Sequence, residues 1–517
     1  MVNTNYEKPL KVNFIFSNFK FFTPVLLFLF IYLSTSIVND GFMASDEYWT
    51  GITRYIPAQS AQLSTLVLSD DVKSPVQLLP FYLTSQLAFK IGIEHPYQQY
   101  RFTCIVLAII NSLILLLSFL LYYKFAIIHN FKTFSFFILF VTFFYPMAFT
   151  LTRPMFETQS APWLFLAIVL AYIYDLKKIN NFNHLFLSGL ALTISFLLRP
   201  QVGLVGLVLI ILPILHKNKK DFINITLTGI ILFLAAGIPD LYLRGKFHYS
   251  LLAVTKYNFE SGHLYGKDPW YYYLLFIPIL TLMPFWIFKI TKSDFMSVLK
   301  SHRTFFLSIA LFVLLHSLFS QKFERFIIPI IPALVILMFQ FVIGSRLIND
   351  PISQNKFNLK NKILFTIGII LNFVLFICAS FFPSQKNIID FSKFVDNNKN
   401  LSQYYNLNES ITWYPDAFVF QKNRTVGLPG EVKINIPLNN EQNNSELEKL
   451  KNLKISCNEI IVANEKEKTR FENILNDKFK LVSILEVNPL EHLAYLLNPE
   501  HNVRRSSLYI FTEPSCN

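Results

Sequence analysis

Charge is scarce in this chain. Asp, Glu, Lys and Arg make up 15% of its 517 residues, against 53% hydrophobic residues. A soluble domain carries about 25% charged residues, so the composition excludes an ordinary water-soluble enzyme. Cysteine is also sparse, at four residues with no metal-ligand spacing among them, which leaves no zinc scaffold and no disulfide-dense module. Cys104 and Cys378 fall in apolar runs; Cys457 and Cys516 lie in a polar tail, where a disulfide between them would suit a tail outside the cytoplasm. No long basic stripe exists either. The net charge of +13 is dispersed in short Lys/Arg clusters between apolar runs, a topology signal with affinity for anionic lipid heads rather than a nucleic-acid surface. The first apolar run, 21–38, lacks a small-residue cleavage site after it and is expected to be a retained signal-anchor helix.

What the chain has in abundance is Phe, 55 residues, and Tyr, 24 residues, set in recurring apolar runs. Runs of about 17 to 22 residues suffice to cross a hydrocarbon core of roughly 30 Å as helices. Hydropathy predicts spans near 20–38, 104–124, 134–150, 160–176, 184–198, 202–216, 223–244, 270–291, 304–320, 326–344 and 363–382. With the N-terminus inside, each short cytoplasmic connection is basic, for example Lys177 with Lys178 and Lys217 with Lys219. The stretch 76–93 is interrupted by Pro80, Gln86 and Lys90; if it crossed, the later basic loops would face the wrong side. It is expected to lie in the membrane interface, inside one long outer loop, 39–103. Eleven crossings then put the tail outside.

This topology brings Asp46, Glu47, Asp70, Asp71, Glu94, Glu157, Asp240, Glu260, Asp268 and Glu324 to the outer face together with Arg153, Arg199, Lys322 and Arg325. Ionisable groups at the edge of hydrocarbon are costly and mark candidate functional sites, although any one of them also suits an ordinary wet loop. In Ser45-Asp46-Glu47-Tyr48-Trp49 a carboxylate pair meets aromatics just beyond the first span. Asp46 or Glu47 could take the proton from an attacking hydroxyl; the same pair suits a helix N-terminus, with Asp46 as the cap. Lys322, Arg325, Arg199 and Arg153 supply cations that a leaving phosphate would need, or long side chains snorkelling to the interface. The outer loop from Tyr257 through Tyr265 to Trp270 mixes glycines with aromatics, as a sugar cleft does and as an interfacial aromatic belt does.

These segments, in this order, resemble the GT-C superfamily, specifically the dolichol-phosphate-mannose-dependent α-mannosyltransferases of lipid-linked oligosaccharide and GPI-anchor assembly. Asp46-Glu47-Tyr48-Trp49 resembles the family's acidic pair in the first outer loop, and Arg153 through Glu157 its Arg and Glu ahead of an apolar helix. Tyr257-Asn258, Ser261-Gly262, Tyr265-Gly266 and Pro269-Trp270 resemble elements of its large middle loop. Gln321-Lys322-Phe323-Glu324-Arg325-Phe326, with Pro329 following, resembles a His-Lys-x-x-Arg-Phe motif, with Gln321 standing where the family usually has His. The second outer-loop motif is reduced to Ser69-Asp70-Asp71-Val72-Lys73-Ser74-Pro75. The resemblance covers roughly residues 20 to 345. It implies inverting single-displacement transfer without a nucleotide sugar, Asp46 as leading base and interfacial helices in the first outer loop. No cofactor is expected, the lipid-phosphate sugar being a substrate, no metal-ligating residues are singled out, and a need for metal is left open.

The expectation is an all-α polytopic membrane protein of about 11 transmembrane helices, GT-C-like, over 1–384, with a small extracytoplasmic α/β domain over 385–517. In that tail 459–463, 481–485 and 508–511 read as strands and 467–475 as an amphipathic helix. Asn408-Glu409-Ser410 and Asn423-Arg424-Thr425 are glycosylation sequons. The expected partners are a polyprenyl-phosphate-linked sugar, most simply mannose, a glycan or glycolipid acceptor and membrane lipids, with no nucleic acid. The expected location is a bacterial inner membrane or an endoplasmic reticulum membrane with the site extracytoplasmic. Two other readings stay open: a transporter or lipid flippase, which would show inverted repeats and charges at mid-membrane, and a carrier-dependent transferase acting on protein or lipid A.

Overall fold

The structure is a computed structural model that describes residues 19–42, 47, 73–126, 131–177, 182–260, 268–286, 292–320, 322–344, 359–398, 400–407, 430–433, 452–470, 472–497 and 505–515. Asp46, Asp70, Asp71, Tyr265, Gln321, Cys516 and both sequons lie outside the described residues. Two compact units emerge. The first comprises Met1–Val38, Ala61–Leu83 and Cys104–Ser380; the second comprises Asn39–Ser60, Thr84–Thr103 and Phe381–Asn517.

The helices run in chain order α1 (Phe19–Val38), α2 (Pro75–Lys90), α3 (Pro96–Ala126), α4 (Phe131–Phe143), α5 (Tyr145–Thr152), α6 (Phe156–Lys177), α7 (Phe182–Leu198), α8 (Gly206–Leu215), α9 (Lys219–Ala236), α10 (Ile238–Arg244), α11 (Tyr249–Glu260), α12 (Tyr272–Leu280), α13 (Met283–Trp286), α14 (Lys292–Ser301), α15 (Arg303–Leu318), α16 (Ile331–Gly344) and α17 (Leu359–Phe381). Short 3-10 helices, Pro200–Val205 and Glu324–Ile330, lead into α8 and α16. Every predicted span falls at least partly on helix. Among the described residues five helices are long and apolar enough to cross a membrane, or six if the pair Phe295–Ser301 and Arg303–Leu318, bent by 90°, counts as one. The shortfall from eleven has local causes. Pro146 follows the break between α4 and α5, Pro200 opens the 3-10 helix ahead of α8, and Leu282 takes φ 52° between α12 and α13, so several predicted spans are interrupted.

The core of the first unit is α6, buried along nearly its whole length. Ser188 and Ser195 on α7 donate their hydroxyls to the carbonyls of Ala167 and Ser160 at 2.7 and 2.9 Å, which lets the two helices approach closely. The opposite case is Lys219–Arg244, as apolar as a span yet 17% buried, with Leu227, Ile230, Ile231 and Leu234 exposed. A helix apolar on its outer face has lipid as its solvent. Carboxylates occur on α6 only at its ends. Asp175, in its last turn, accepts from Arg303 Nε at 3.0 Å, His216 Nε2 at 2.8 Å and Thr304 Oγ1 at 2.9 Å. Eighteen residues separate it from Glu157, about 27 Å along the axis.

The second unit holds α18 (Lys386–Asn397), β1 (Gln403–Asn406), β2 (Gly430–Lys433), β3 (Glu459–Asn464), α19 (Glu465–Arg470), α20 (Glu472–Lys478), β4 (Lys480–Leu485), α21 (Pro489–Leu497) and β5 (Leu508–Thr512). The strands form one sheet in the order β2-β1-β3-β5-β4, parallel from β2 to β3 and antiparallel on both sides of β5. Leu407, Ile461, Ala463, Leu475, Phe479 and Phe511 pack as its core. The three predicted strands are present, and the predicted helix over 467–475 is found as α19 and α20. Cys457 is disulfide-bonded, whereas Cys104 and Cys378 are free thiols.

This unit is laced to the chain just beyond α1. The Phe42 amide donates to the Ser384 carbonyl at 2.8 Å, and Asn39 Nδ2 to the Phe382 carbonyl at 3.4 Å. Gly41 sits so close that an added Cβ would stand 2.2 Å from both the amide nitrogen and the carbonyl oxygen of Ser384. Backbone cannot yield as a side-chain tip can. Gly41→Ala is therefore expected to cost at least about 1–3 kcal/mol, read as a lowered thermal midpoint of the purified protein in detergent; an unchanged midpoint would refute the close approach.

Candidate functional site

Glu157 lies in the first turn of α6 and is 2% exposed. Pro154 precedes that turn, and the Thr158 hydroxyl closes it against the backbone of Arg153 and Met155. Arg153, itself buried, ends α5 immediately before. The next cation arrives from α7. Its helix ends where the Arg199 amide donates to the Ser195 carbonyl at 2.8 Å; Pro200 then holds Arg199 extended, at φ −148°. From there Arg199 Nη1 reaches Glu157 Oε1 at 2.9 Å. Arg325, in the 3-10 helix Glu324–Ile330, places its Nε 4.0 Å from the same oxygen. Phe326 carries both guanidiniums against its ring, Arg199 at 4.8 Å and Arg325 at 5.5 Å from the centroid. Gln77 Nε2, near the start of α2, donates to the Leu198 carbonyl at 2.8 Å and so ties the beginning of the 76–93 segment to this end of α7.

A recess opens beside the pair, lined by Arg199, Gln201, Asn258, His316, Phe319 and Phe326. His316 and Gln201 were missed in the sequence reading. The Nδ1 of His316 lies 2.9 Å from the Phe312 carbonyl and is its donor, so Nε2 is left as the free ring position. Among the described residues, His316 Nε2 and Gln201 Oε1 are buried polar atoms without a hydrogen-bond partner. Burying such atoms unpaired is unfavourable by about 1–3 kcal/mol each; in a recess that also holds the Arg199 guanidinium they are suited to receive hydroxyls. One signal could have found His316. It sits inside a predicted span, where an imidazole has no place unless it faces something polar.

Lys322 is 4% exposed and donates through Nζ to the Asp268 carbonyl at 3.1 Å and to that of Phe319, which leaves one N–H of its three. Burial pushes its ammonium below the ordinary lysine range, with the Asp268 carboxylate opposing. Tyr273 donates to the Phe323 carbonyl at 3.1 Å and Tyr272 to Glu324 Oε1 at 3.0 Å, so α12 braces the Lys322–Arg325 segment.

The structure thus joins Glu157, Arg199 and Arg325 in one cluster, with Arg153 and Lys322 adjacent to it in the chain. It leaves Trp270 66% and Tyr257 36% exposed, neither lining the recess, although Asn258 next to Tyr257 does. Glu47 belongs to the second unit, fully buried, and accepts from the Tyr100 hydroxyl at 3.0 Å. The ion pair makes a direct prediction. Glu157→Ala removes the carboxylate from a buried ion pair and is expected to cost about 3–5 kcal/mol, with Glu157→Gln less damaging; detergent-solubilised thermal midpoints in the order wild type, Gln, Ala would bear this out, and an Ala variant as stable as wild type would not.

Comparison with known proteins places the fold and the family. The fold is similar to that of ArnT from Cupriavidus metallidurans bound to undecaprenyl phosphate, at a TM-score of 0.54 and 11% identity over 96% of this chain and 98% of that one. The apo state of the same protein gives a TM-score of 0.56, again at 11% identity, over 95% and 97%. A GPI alpha-1,2-mannosyltransferase 3 from Xenopus laevis is 26% identical over 194 residues, 36% of this chain. That alignment spans only 35% of the relative's length. The model of the Alg9-like mannosyltransferase family matches residues 68–414, well over half of the chain and the whole of the Glu157–Arg199–Arg325 cluster, and the chain belongs to that family.

Proposed function

We propose that this chain is an integral-membrane glycosyltransferase that moves a sugar, mannose in the first instance, from a polyprenyl-phosphate carrier to a glycan or glycolipid acceptor on the non-cytoplasmic side. The observation that carries the reading is the recess at Arg199, where unpartnered His316 Nε2 and Gln201 Oε1 sit beside a carboxylate shared by two guanidiniums. Family membership and the ArnT-like fold support it. The bond change is a single displacement. A carboxylate takes the proton of an acceptor hydroxyl, the oxygen attacks the anomeric carbon, and the bond to phosphate breaks with its electrons leaving on the polyprenyl phosphate. We assign the base to Asp46, with Glu47 beside it, and the charge released on phosphate to Arg199, Arg325 and Lys322. His316 and Gln201 would hold hydroxyls of the transferred sugar, and Tyr257, Tyr265 and Trp270 the outer rim.

The same reading places the N-terminus inside, eleven crossings in the membrane and an α/β tail outside. The disulfide-bonded Cys457 supports that side for the tail, since disulfides persist in oxidising compartments.

Asp46→Asn is expected to abolish transfer from polyprenyl-phosphate-mannose to acceptor without lowering expression or thermal stability, scored against glucose and arabinose carriers in the same assay. Turnover at the wild-type rate would remove Asp46 from the mechanism. Lys322 adds a pH dependence. Its lowered pKa means that, as pH rises, the ammonium discharges earlier than that of a water-exposed lysine, so donor affinity is lost on the alkaline side. Lys322→Arg, whose guanidinium stays charged, is expected to move that alkaline rise in donor KM to higher pH; identical limbs in the two proteins would exclude Lys322 from phosphate binding.

A further inference from the structure

We propose that α21 lies in the surface of the lipid bilayer, with its leucine face among the headgroups and upper acyl chains. The helix is amphipathic the wrong way round for water. Glu491 and Tyr495 face inward, 7% and 6% exposed, whereas Leu490, Leu493, Leu496 and Leu497 stand outward at 46%, 51%, 57% and 77%. Leu490, Leu493 and Leu497 recur at spacings of three and four and so form one stripe. The strand before it, at the edge of the sheet, adds Leu481, Val482 and Ile484, exposed by 42%, 50% and 47%. Clustered apolar surface of this kind marks a contact with something other than water.

The occupant follows from where α21 begins. Asn488 caps it, accepting from the amides of Leu490 and Glu491 at 3.1 and 3.0 Å, while its Nδ2 donates to the Pro383 carbonyl at 2.9 Å. Glu491 turns inward because its carboxylate accepts from the Ser384 hydroxyl at 2.9 Å and from the Gln385 amide at 2.9 Å. Pro383, Ser384 and Gln385 are the residues through which the chain leaves α17, and the same strip receives Asn39 and Phe42 as the chain leaves α1. Two apolar helices therefore end at the point that fixes the first turn of α21. At nine residues α21 is about 14 Å long, and the polar zone flanking the hydrocarbon is about 5–8 Å deep on each side. Tethered at the exit of two spans and bearing leucines outward, α21 has the bilayer as the apolar phase within reach. Interfacial helices bind in this way, with the apolar face sunk to the boundary of the acyl chains.

The test uses the full-length protein with Cys104→Ala and Cys378→Ala, the disulfide at Cys457 kept, and Leu493→Cys labelled with nitrobenzoxadiazole. It is reconstituted at one copy per phosphatidylcholine nanodisc, with or without 5-doxyl lipid. Glu472→Cys on α20 serves as the water-facing reference, and Leu496→Cys as a second reporter should labelling at 493 disturb the helix. The expected result is a blue-shifted label on α21, quenched strongly by doxyl lipid and weakly by iodide, with the reverse at Glu472. Strong iodide quenching without doxyl quenching would overturn the proposal in favour of water. A blue-shifted label insensitive to both quenchers would overturn it in favour of a protein-covered face, and one that becomes so only when two copies share a nanodisc would identify that cover as a second copy of the chain.

Discussion

A charge inside hydrocarbon must be paired or be pushed to an edge, and α6 is organised by that constraint. Its buried middle carries no carboxylate; its ends carry Glu157 and Asp175, and each gathers cations from helices distant in sequence. The two ends differ in how fully they are closed. Asp175 is surrounded by a guanidinium, an imidazole and a hydroxyl, all bonded to it, which makes that end a clasp between α6, α8 and α15. Glu157 shares one oxygen between Arg199 and Arg325, and the recess beside it holds His316 Nε2 and Gln201 Oε1, buried and without a hydrogen-bond partner among the described residues. A guanidinium beside acceptor atoms of that kind suits a ligand that brings both an anion and hydroxyls.

The apolar runs were legible because hydrocarbon imposes a minimum length on them, and the short runs of β-branched and aromatic residues in the tail were legible as strands. The interruptions were only partly so. Pro200 announces itself, whereas α2 runs on through Pro80, and the turn at Leu282 depends on packing that no local pattern records. Sheet order was out of reach, since β1 and β2 are short and β1 finds its parallel partners well downstream in the chain.

For the site, the sequence gathered Glu157, Arg199 and Arg325 on one outer face, as charges at the edges of spans. Which of them touch needed the structure, because the serine contacts that bring α7 against α6 look like ordinary helix interior. His316 was absorbed into the apolar run around it, and Gln201 into the turn after Pro200. Trp270 and Tyr257, which the sequence singled out, do not line the recess, whereas Asn258 and Phe326 do.

The lacing of Gly41 and Phe42 to Ser384 has a temporal side. Asn39 and its partner Phe382 are 343 residues apart. At about 5–20 residues per second the ribosome needs roughly 15–70 s to synthesise that distance. For all of that interval the early segment of the second unit stands outside the first helix without the backbone it will bond, while one apolar segment after another enters the bilayer. The unit can close only after α17 has been synthesised, so a chain that stops short of its last helix leaves Asn39, Gly41 and Phe42 without the backbone they meet in the finished fold.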